Sequence, residues 1–150
     1  MSKKYHVHWL NKLTFVAKDE EGHATVMDAW HKPGDPTPRC APSPMELVAM
    51  GLGGCTSTDV LIILKKARQK VTDCEVVVEA ERSEGVPKVY TRIHVHFIVT
   101  GHNVDPKHVE RAVKLSAEKY CSVSRMLEHS AEITHDFEVR EAEACLDDQS

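Results

Sequence analysis

The chain predicts an α+β fold in the order βββ-αα-ββ-αα-β, and three observations carry that prediction. Short runs near the N-terminus alternate polar and apolar residues. A run over residues 47–64 is apolar almost all round. After residue 70 a long alternating hairpin gives way to a segment of helical period. The first strand is read from Tyr5, Val7 and Trp9 alternating with His6, His8 and Leu10. The second covers residues 13–17 and the third residues 24–27, with Asp19, Glu20, Glu21 and Gly22 as the turn between them.

Residues 32–44 then hold five prolines. Proline has no N–H to donate, so this stretch can be neither helix nor central strand. The pieces on either side are too small for two independent cores, which makes it an ordered crossover loop within one domain spanning residues 1–150. Ser43, Pro44 and Glu46 then give a helix start: a capping hydroxyl, proline at the first position and a glutamate three residues after the cap. Gly51, Gly53 and Gly54 are expected to break the apolar run into two helices, the second starting near Cys55 and ending in Lys65, Lys66 and Arg68. A helix apolar on all sides is either buried or membrane-spanning. Glu46, Asp59, the glycines and the hydroxyls of Thr56, Ser57 and Thr58 point to burial within protein. One small domain offers little to bury it against, so a second copy of the chain is expected to complete the core as a homodimer.

In the hairpin, Cys74, Val76, Val78 and Ala80 share one face, opposite Asp73, Glu75, Glu79 and Glu81. Ile93, Val95, Phe97 and Val99 line the returning strand. Asp105 and Pro106 open a helix carrying Val109, Ala112, Val113, Ser116 and Tyr120 at helical spacing. A short helical segment over 122–129 and a strand over 131–139 follow. The core is expected over about residues 5–139, with residues 140–150 as a flexible acidic tail.

The charge balance, 19 basic against 23 acidic residues, offers no field for a nucleic-acid backbone, and few aromatics are available for base stacking. The five cysteines, Cys40, Cys55, Cys74, Cys121 and Cys145, are widely spaced and odd in number, neither a disulfide framework nor a zinc ribbon. Residues 1–11 lack the apolar core of a secretory signal, so a reducing cytoplasm is the expected compartment. Cys55, at the expected start of a helix, would gain thiolate character from the helix dipole. Cys121 repeats the arrangement, with Arg125 one turn on. For each, a structural cysteine is the competing reading. His6 with His8, and His94 with His96, could chelate a metal. Alternation places both pairs on solvent faces, so no metal or cofactor is expected. Cys40 beside Arg39 is a further candidate thiol; Cys74 reads as core and Cys145 as incidental.

Three segments of this chain resemble the OsmC/Ohr family of thiol-dependent organic hydroperoxide reductases, most closely its OsmC-like, YhfA-type branch. They are residues 43–55 with Ser43-Pro44-Met45-Glu46-Leu47 and Gly53-Gly54-Cys55, the strand end Phe97-Ile98-Val99-Thr100-Gly101, and residues 116–124 around Tyr120-Cys121-Ser122. The resemblance implies an intertwined homodimer with central apolar helices on antiparallel sheets and two active sites at the subunit interface. It makes Cys55 the peroxidatic thiolate and Cys121 its resolving partner in an intramolecular disulfide. An organic, lipid-like hydroperoxide would be the substrate and a dithiol, such as a lipoylated protein, the reductant; neither nucleic acid nor membrane is implied. Arg39 is the candidate for the family's arginine and Glu46 for its carboxylate. Met45 stands where the family usually has that glutamate, and Ser122 replaces a common proline. These departures leave an alternative: a slow or non-catalytic dimeric module, sensing redox state or binding a hydrophobic ligand, that retains the thiol pair.

Overall fold

A computed structural model describes residues 2–29 and 35–144. Residues 30–34 of the proline-rich loop, and Cys145 with the rest of the tail, lie outside the described residues. The chain divides into two compact units, Met1–Val48 and Ala49–Ser150.

The first unit is an antiparallel meander of β1 (His6–Asn11), β2 (Thr14–Lys18) and β3 (Ala24–Asp28), in that order. Its second turn is built by Asp19, whose Oδ1 accepts the backbone N–H groups of Glu21 and His23 at 2.9 Å each. Gly22 sits there at φ +89°, a conformation that favours glycine. The crossover loop is ordered where it is described. The Asp28 N–H donates to Pro42 O at 3.0 Å, and the Asp28 carboxylate accepts the Cys40 N–H at 2.9 Å.

Helix α1 (Pro44–Lys66) starts as the sequence predicts. Glu46 N–H donates to Ser43 Oγ at 3.2 Å and Ser43 N–H to Glu46 Oε2 at 3.0 Å, a reciprocal capping box. The expected break at the glycines is absent: α1 is one continuous helix of 23 residues. The hydroxyls that follow do not draw the backbone out of helix. Thr56 donates to the carbonyls of Leu52 and Gly53, Ser57 to Gly53 and Thr58 to Gly54, all bonds back to the preceding turn. Gly53 serves packing instead, because a Cβ there would lie 3.2 Å from Val78 Cγ2 on the neighbouring strand.

The second unit carries a sheet in the order β4–β5–β6, formed by β4 (Lys70–Arg82), β5 (Tyr90–His102) and β6 (Glu132–Glu141). β4 and β5 are antiparallel, but β6 runs parallel to β5, which corrects the all-antiparallel expectation. The reason is the connection: α2 (Pro106–Leu115), a π-helical segment (Ser116–Tyr120) and α3 (Ser122–Leu127) form a crossover that returns the chain to the end where β5 began. Residues 140 and 141, expected in the tail, belong to β6. Leu52, Val60 and Leu64 of α1, Ile93, Val95, Phe97 and Val99 of β5, and Val109 of α2 are fully buried. By length and composition α1 could cross a membrane, and only 28% of its most apolar stretch is buried. Met50, Leu61 and Ile62 stand exposed on it.

Candidate active site

The second unit brings Cys55 and Cys121 together. Their sulfurs and a carboxylate oxygen of Asp59 all lie within 4.8 Å of one another. Cys55 and Asp59 are four residues apart on α1 and therefore share a face. Asp59 accepts a hydrogen bond from the buried Ser116 Oγ at 2.9 Å. The π segment places these partners. Its widened turn, closed by Cys121 N–H donating to Ser116 O at 2.9 Å, ends in an extended residue, Cys121 at φ −73° and ψ 106°. Ser116 and Cys121 thus meet α1 from the two ends of one irregular turn.

The two thiols differ in surroundings. Cys121 is the N-cap of α3, as expected, and its Sγ accepts the Ser124 N–H at 3.4 Å. It is also 3% exposed. Burial pushes its thiol above the ordinary range, hydrogen bonds from Ser124 pull it back in part, and the neighbouring Cys55 raises it again. The thiolate character expected there is therefore opposed. Arg125 does not supply it either, since its guanidinium bonds Glu128 at 3.1 Å and the Glu118 carbonyl at 3.2 Å. Cys55 is half-buried and so the more accessible of the two. It does not start a helix: α1 begins at Pro44, three turns earlier, so the N-terminus of α1 does not act on its sulfur. Gly54 beside it faces open space, whereas Gly53 is packed.

Arg39 and Glu46, in the first unit, form a bidentate pair with both N–O distances at 3.0 Å. The Arg39 guanidinium, followed by the Ser43 N–H, holds the Glu46 carboxyl below its ordinary value. Arg39 is thus paired with Glu46, one residue after Met45, which holds the position where the family glutamate is expected. Cys40 is exposed, and burial pushes the Cys74 thiol up, as fits a packed strand residue. Asp59 and Ser116 were not singled out as site residues by the sequence. The spacing of Asp59 from Cys55 was the available signal, whereas Ser116 read as one more residue on the inner face of a helix.

A cavity of about 430 Å³ adjoins Asp59, lined by Ile62 and Leu115 among others and flanked by Lys66, His108 and Arg111. From the Asp59–Ser116 hydrogen bond, Lys66 lies seven residues on along α1, about 10 Å at 1.5 Å per residue. Arg111 lies five residues back along the other helix. Chemically, the site offers one accessible thiol, one buried thiol, a carboxylate that can exchange protons with either, and an adjoining cleft of mixed apolar and charged lining. The same three donors could also hold a thiophilic metal ion.

The OsmC-like protein family profile matches residues 34–136. YhfA of Escherichia coli strain K12 is 50% identical over 133 residues, covering 89% of this chain and 95% of YhfA. The crystal structure of a protein from Aquifex aeolicus VF5, 32% identical, superimposes with a TM-score of 0.82 over 95% of this chain and 99% of its own. The organic hydroperoxide resistance protein OhrB of Bacillus subtilis is 14% identical, with a TM-score of 0.63 over 92% of this chain and 98% of OhrB, a likeness of fold.

Proposed function

The chain belongs to the OsmC-like protein family, and from that premise we propose that it is a thiol-dependent peroxidase reducing organic hydroperoxides to alcohols. The observation that carries this reading is the juxtaposition of the accessible Cys55 sulfur and the buried Cys121 sulfur within 4.8 Å. The Cys55 thiolate attacks the terminal oxygen of the hydroperoxide. The O–O bond breaks, the alkoxide leaves and takes up a proton, and Cys55 becomes a sulfenic acid. The Cys121 thiol then gives up its proton and its sulfur attacks Cys55. Hydroxide departs as water and a Cys55–Cys121 disulfide remains. The sulfurs need approach by at most about 3 Å to reach the ~2.05 Å bond. A dithiol restores both thiols and is itself oxidised to a disulfide; a lipoylated protein has the required chemistry. Asp59 lies where it can accept the thiol proton and return it to the departing oxygen.

The apolar part of the cleft beside Asp59, with Ile62, Ile63 and Leu115, favours an organic hydroperoxide over hydrogen peroxide, and OhrB, of the same fold, carries organic hydroperoxide resistance in its name. The protein acts as a homodimer, a reading supported by the exposed apolar residues of α1 together with Tyr5, Val7 and Trp9 of the first unit. Free thiols at Cys40, Cys55, Cys74 and Cys121 fit a reducing compartment such as the cytoplasm. The test is consumption of cumene hydroperoxide and of hydrogen peroxide with a dithiol reductant. Faster turnover of the organic substrate, lost in Cys55→Ser, is expected; no turnover, or full turnover in Cys55→Ser, overturns the mechanism. A slow redox-sensing or ligand-binding module is the second reading, favoured by Met45 at the family glutamate position. It predicts disulfide formation without multiple turnover.

A further inference from the structure

The outer face of the second sheet carries a different constellation. β5 buries Ile93, Val95 and Phe97, which turns His94 and His96 to the opposite face. Because β6 runs parallel to β5, Thr134 lies beside His94 and Asp136 beside His96 in register. The side chains form a chain of contacts. His94 Nδ1 meets Thr134 Oγ1 at 2.6 Å, while His94 Nε2 meets Asp136 Oδ1 at 2.8 Å. His96 Nδ1 meets the same Asp136 oxygen at 2.6 Å, and His96 Nε2 meets Glu138 Oε1 at 3.1 Å.

Two imidazole nitrogens therefore converge on one carboxylate oxygen, and these donors lie within 4.8 Å of one another. The other nitrogen of each ring is already fixed, one by a hydroxyl and one by a carboxylate. That is the outer arrangement that holds metal-binding imidazoles in the correct tautomer and orientation. A cavity of about 280 Å³ opens over the group, and Glu79 of β4, paired with His94 in register, lines it.

We propose that this face binds a divalent transition-metal ion through His94 Nε2, His96 Nδ1 and the Asp136 carboxylate, with Glu79 and water completing the shell. Two imidazoles with a carboxylate suit zinc, cobalt or nickel, and not calcium or magnesium, which take oxygen ligands. The ion takes the place of the protons now shared between the two rings and Asp136, and Thr134 and Glu138 keep their present contacts. The site is independent of the thiols: Cys55 lies on α1, which packs through Gly53 against Val78 on the other face of this sheet, and Cys121 meets it there.

The experiment uses untagged full-length protein carrying Cys55→Ser and Cys121→Ser, so that the thiol cluster cannot take the metal. Titration with Zn²⁺ alone, followed calorimetrically, is expected to give saturable binding. His96→Ala and His94→Gln should each weaken it by at least tenfold, and Thr134→Val by about tenfold through loss of ring orientation. Co²⁺ should give visible d–d bands without a sulfur charge-transfer band. Thermal unfolding without metal identifies any variant that fails to fold, and the other histidine variant then decides. No saturable Zn²⁺ binding, or binding unchanged in a folded histidine variant, overturns the proposal.

Discussion

The sulfurs of Cys55 and Cys121, 66 residues apart in the chain, lie within 4.8 Å of each other, one accessible and the other buried. In the proposed reaction this asymmetry makes Cys55 the first thiol to be oxidised and Cys121 the one that resolves it. In Cys121→Ser, the sulfenic acid formed on Cys55 has no partner and should be trapped by dimedone in near-stoichiometric yield, with no more than one turnover per chain. Wild type should give the intramolecular disulfide instead, visible as a loss of two hydrogens by intact mass. Because burial holds the Cys121 thiol up, closure should accelerate as pH rises above neutrality, where more of that thiol ionises. Multiple turnover in Cys121→Ser would remove its resolving role.

A carboxylate oxygen of Asp59 lies within 4.8 Å of both sulfurs, and Asp59 is itself held by Ser116. Asp59→Asn preserves shape and removes the proton acceptor, so the hydroperoxide step should slow by about 100-fold, the lower range for a positioned acid–base group. Ser116→Ala leaves the carboxylate but frees its orientation and should cost about tenfold, the equivalent of one charge-assisted hydrogen bond. Stopped-flow kinetics of the first oxidation separates the two effects. Equal rates in Asp59→Asn and wild type would exclude Asp59 from the proton path.

The sequence made much of this fold legible and the irregular parts least. Period-two alternation placed the hairpin and the N-terminal meander, and the capping box at Ser43 and Glu46 marked the start of α1 to the residue. The glycines at 51, 53 and 54 misled because propensity is a local quantity. Back-bonded hydroxyls and the contact of Gly53 with Val78 keep the helix continuous, and both belong to the folded state. The error carried into the site: without a helix start at Cys55, the dipole argument for its thiolate fails. The parallel pairing of β6, and with it the convergence of His94 and His96 on Asp136, had no local signature. It depends on which end of β5 the helical crossover reaches.

Glu46 links the cap of α1 to Arg39, and its carboxyl lies below the ordinary 4.5. A carboxyl with a depressed folded-state pKa contributes stability that is fully present above its unfolded value. That stability is lost as pH falls through the folded value. Wild type should therefore exceed Glu46→Gln in stability at neutral pH, with the difference shrinking below about pH 4.5 and vanishing in stronger acid. Ser43→Ala removes the other half of the capping box and should cost about 1 kcal/mol. Urea unfolding across pH checks both, and a pH-independent gap for Glu46→Gln would count against the ion pair as its source.

Met50 and Leu61 of α1 are 54% and 41% exposed on a helix otherwise apolar enough to be buried. Covered by a second copy, neither should tolerate charge. Met50→Glu and Leu61→Glu should shift the protein from dimer to monomer in light scattering coupled to size exclusion. Surface changes such as Glu84→Lys, at the exposed tip of the hairpin, should not. A wild-type monomer at high protein concentration would refute the dimer.

The cleft beside Asp59 is lined in part by Lys66, His108 and Arg111. Among the described residues, neither Lys66 nor Arg111 makes an ion pair. An acyl chain bearing its hydroperoxide near the thiols and a carboxylate about 10 Å away would bring that carboxylate to these cations. Such a substrate should be preferred over cumene hydroperoxide, which has no acidic group. Lys66→Ala or Arg111→Ala should raise KM for the carboxylate-bearing substrate about fivefold, equivalent to about 1 kcal/mol for a solvent-accessible charge pair. Cumene hydroperoxide kinetics should stay unchanged. Added salt should weaken the preference in wild type and leave the variants little affected, because screening acts on the same contact. If both substrates lose affinity equally in the variants, the cations shape the cleft and do not read the head group.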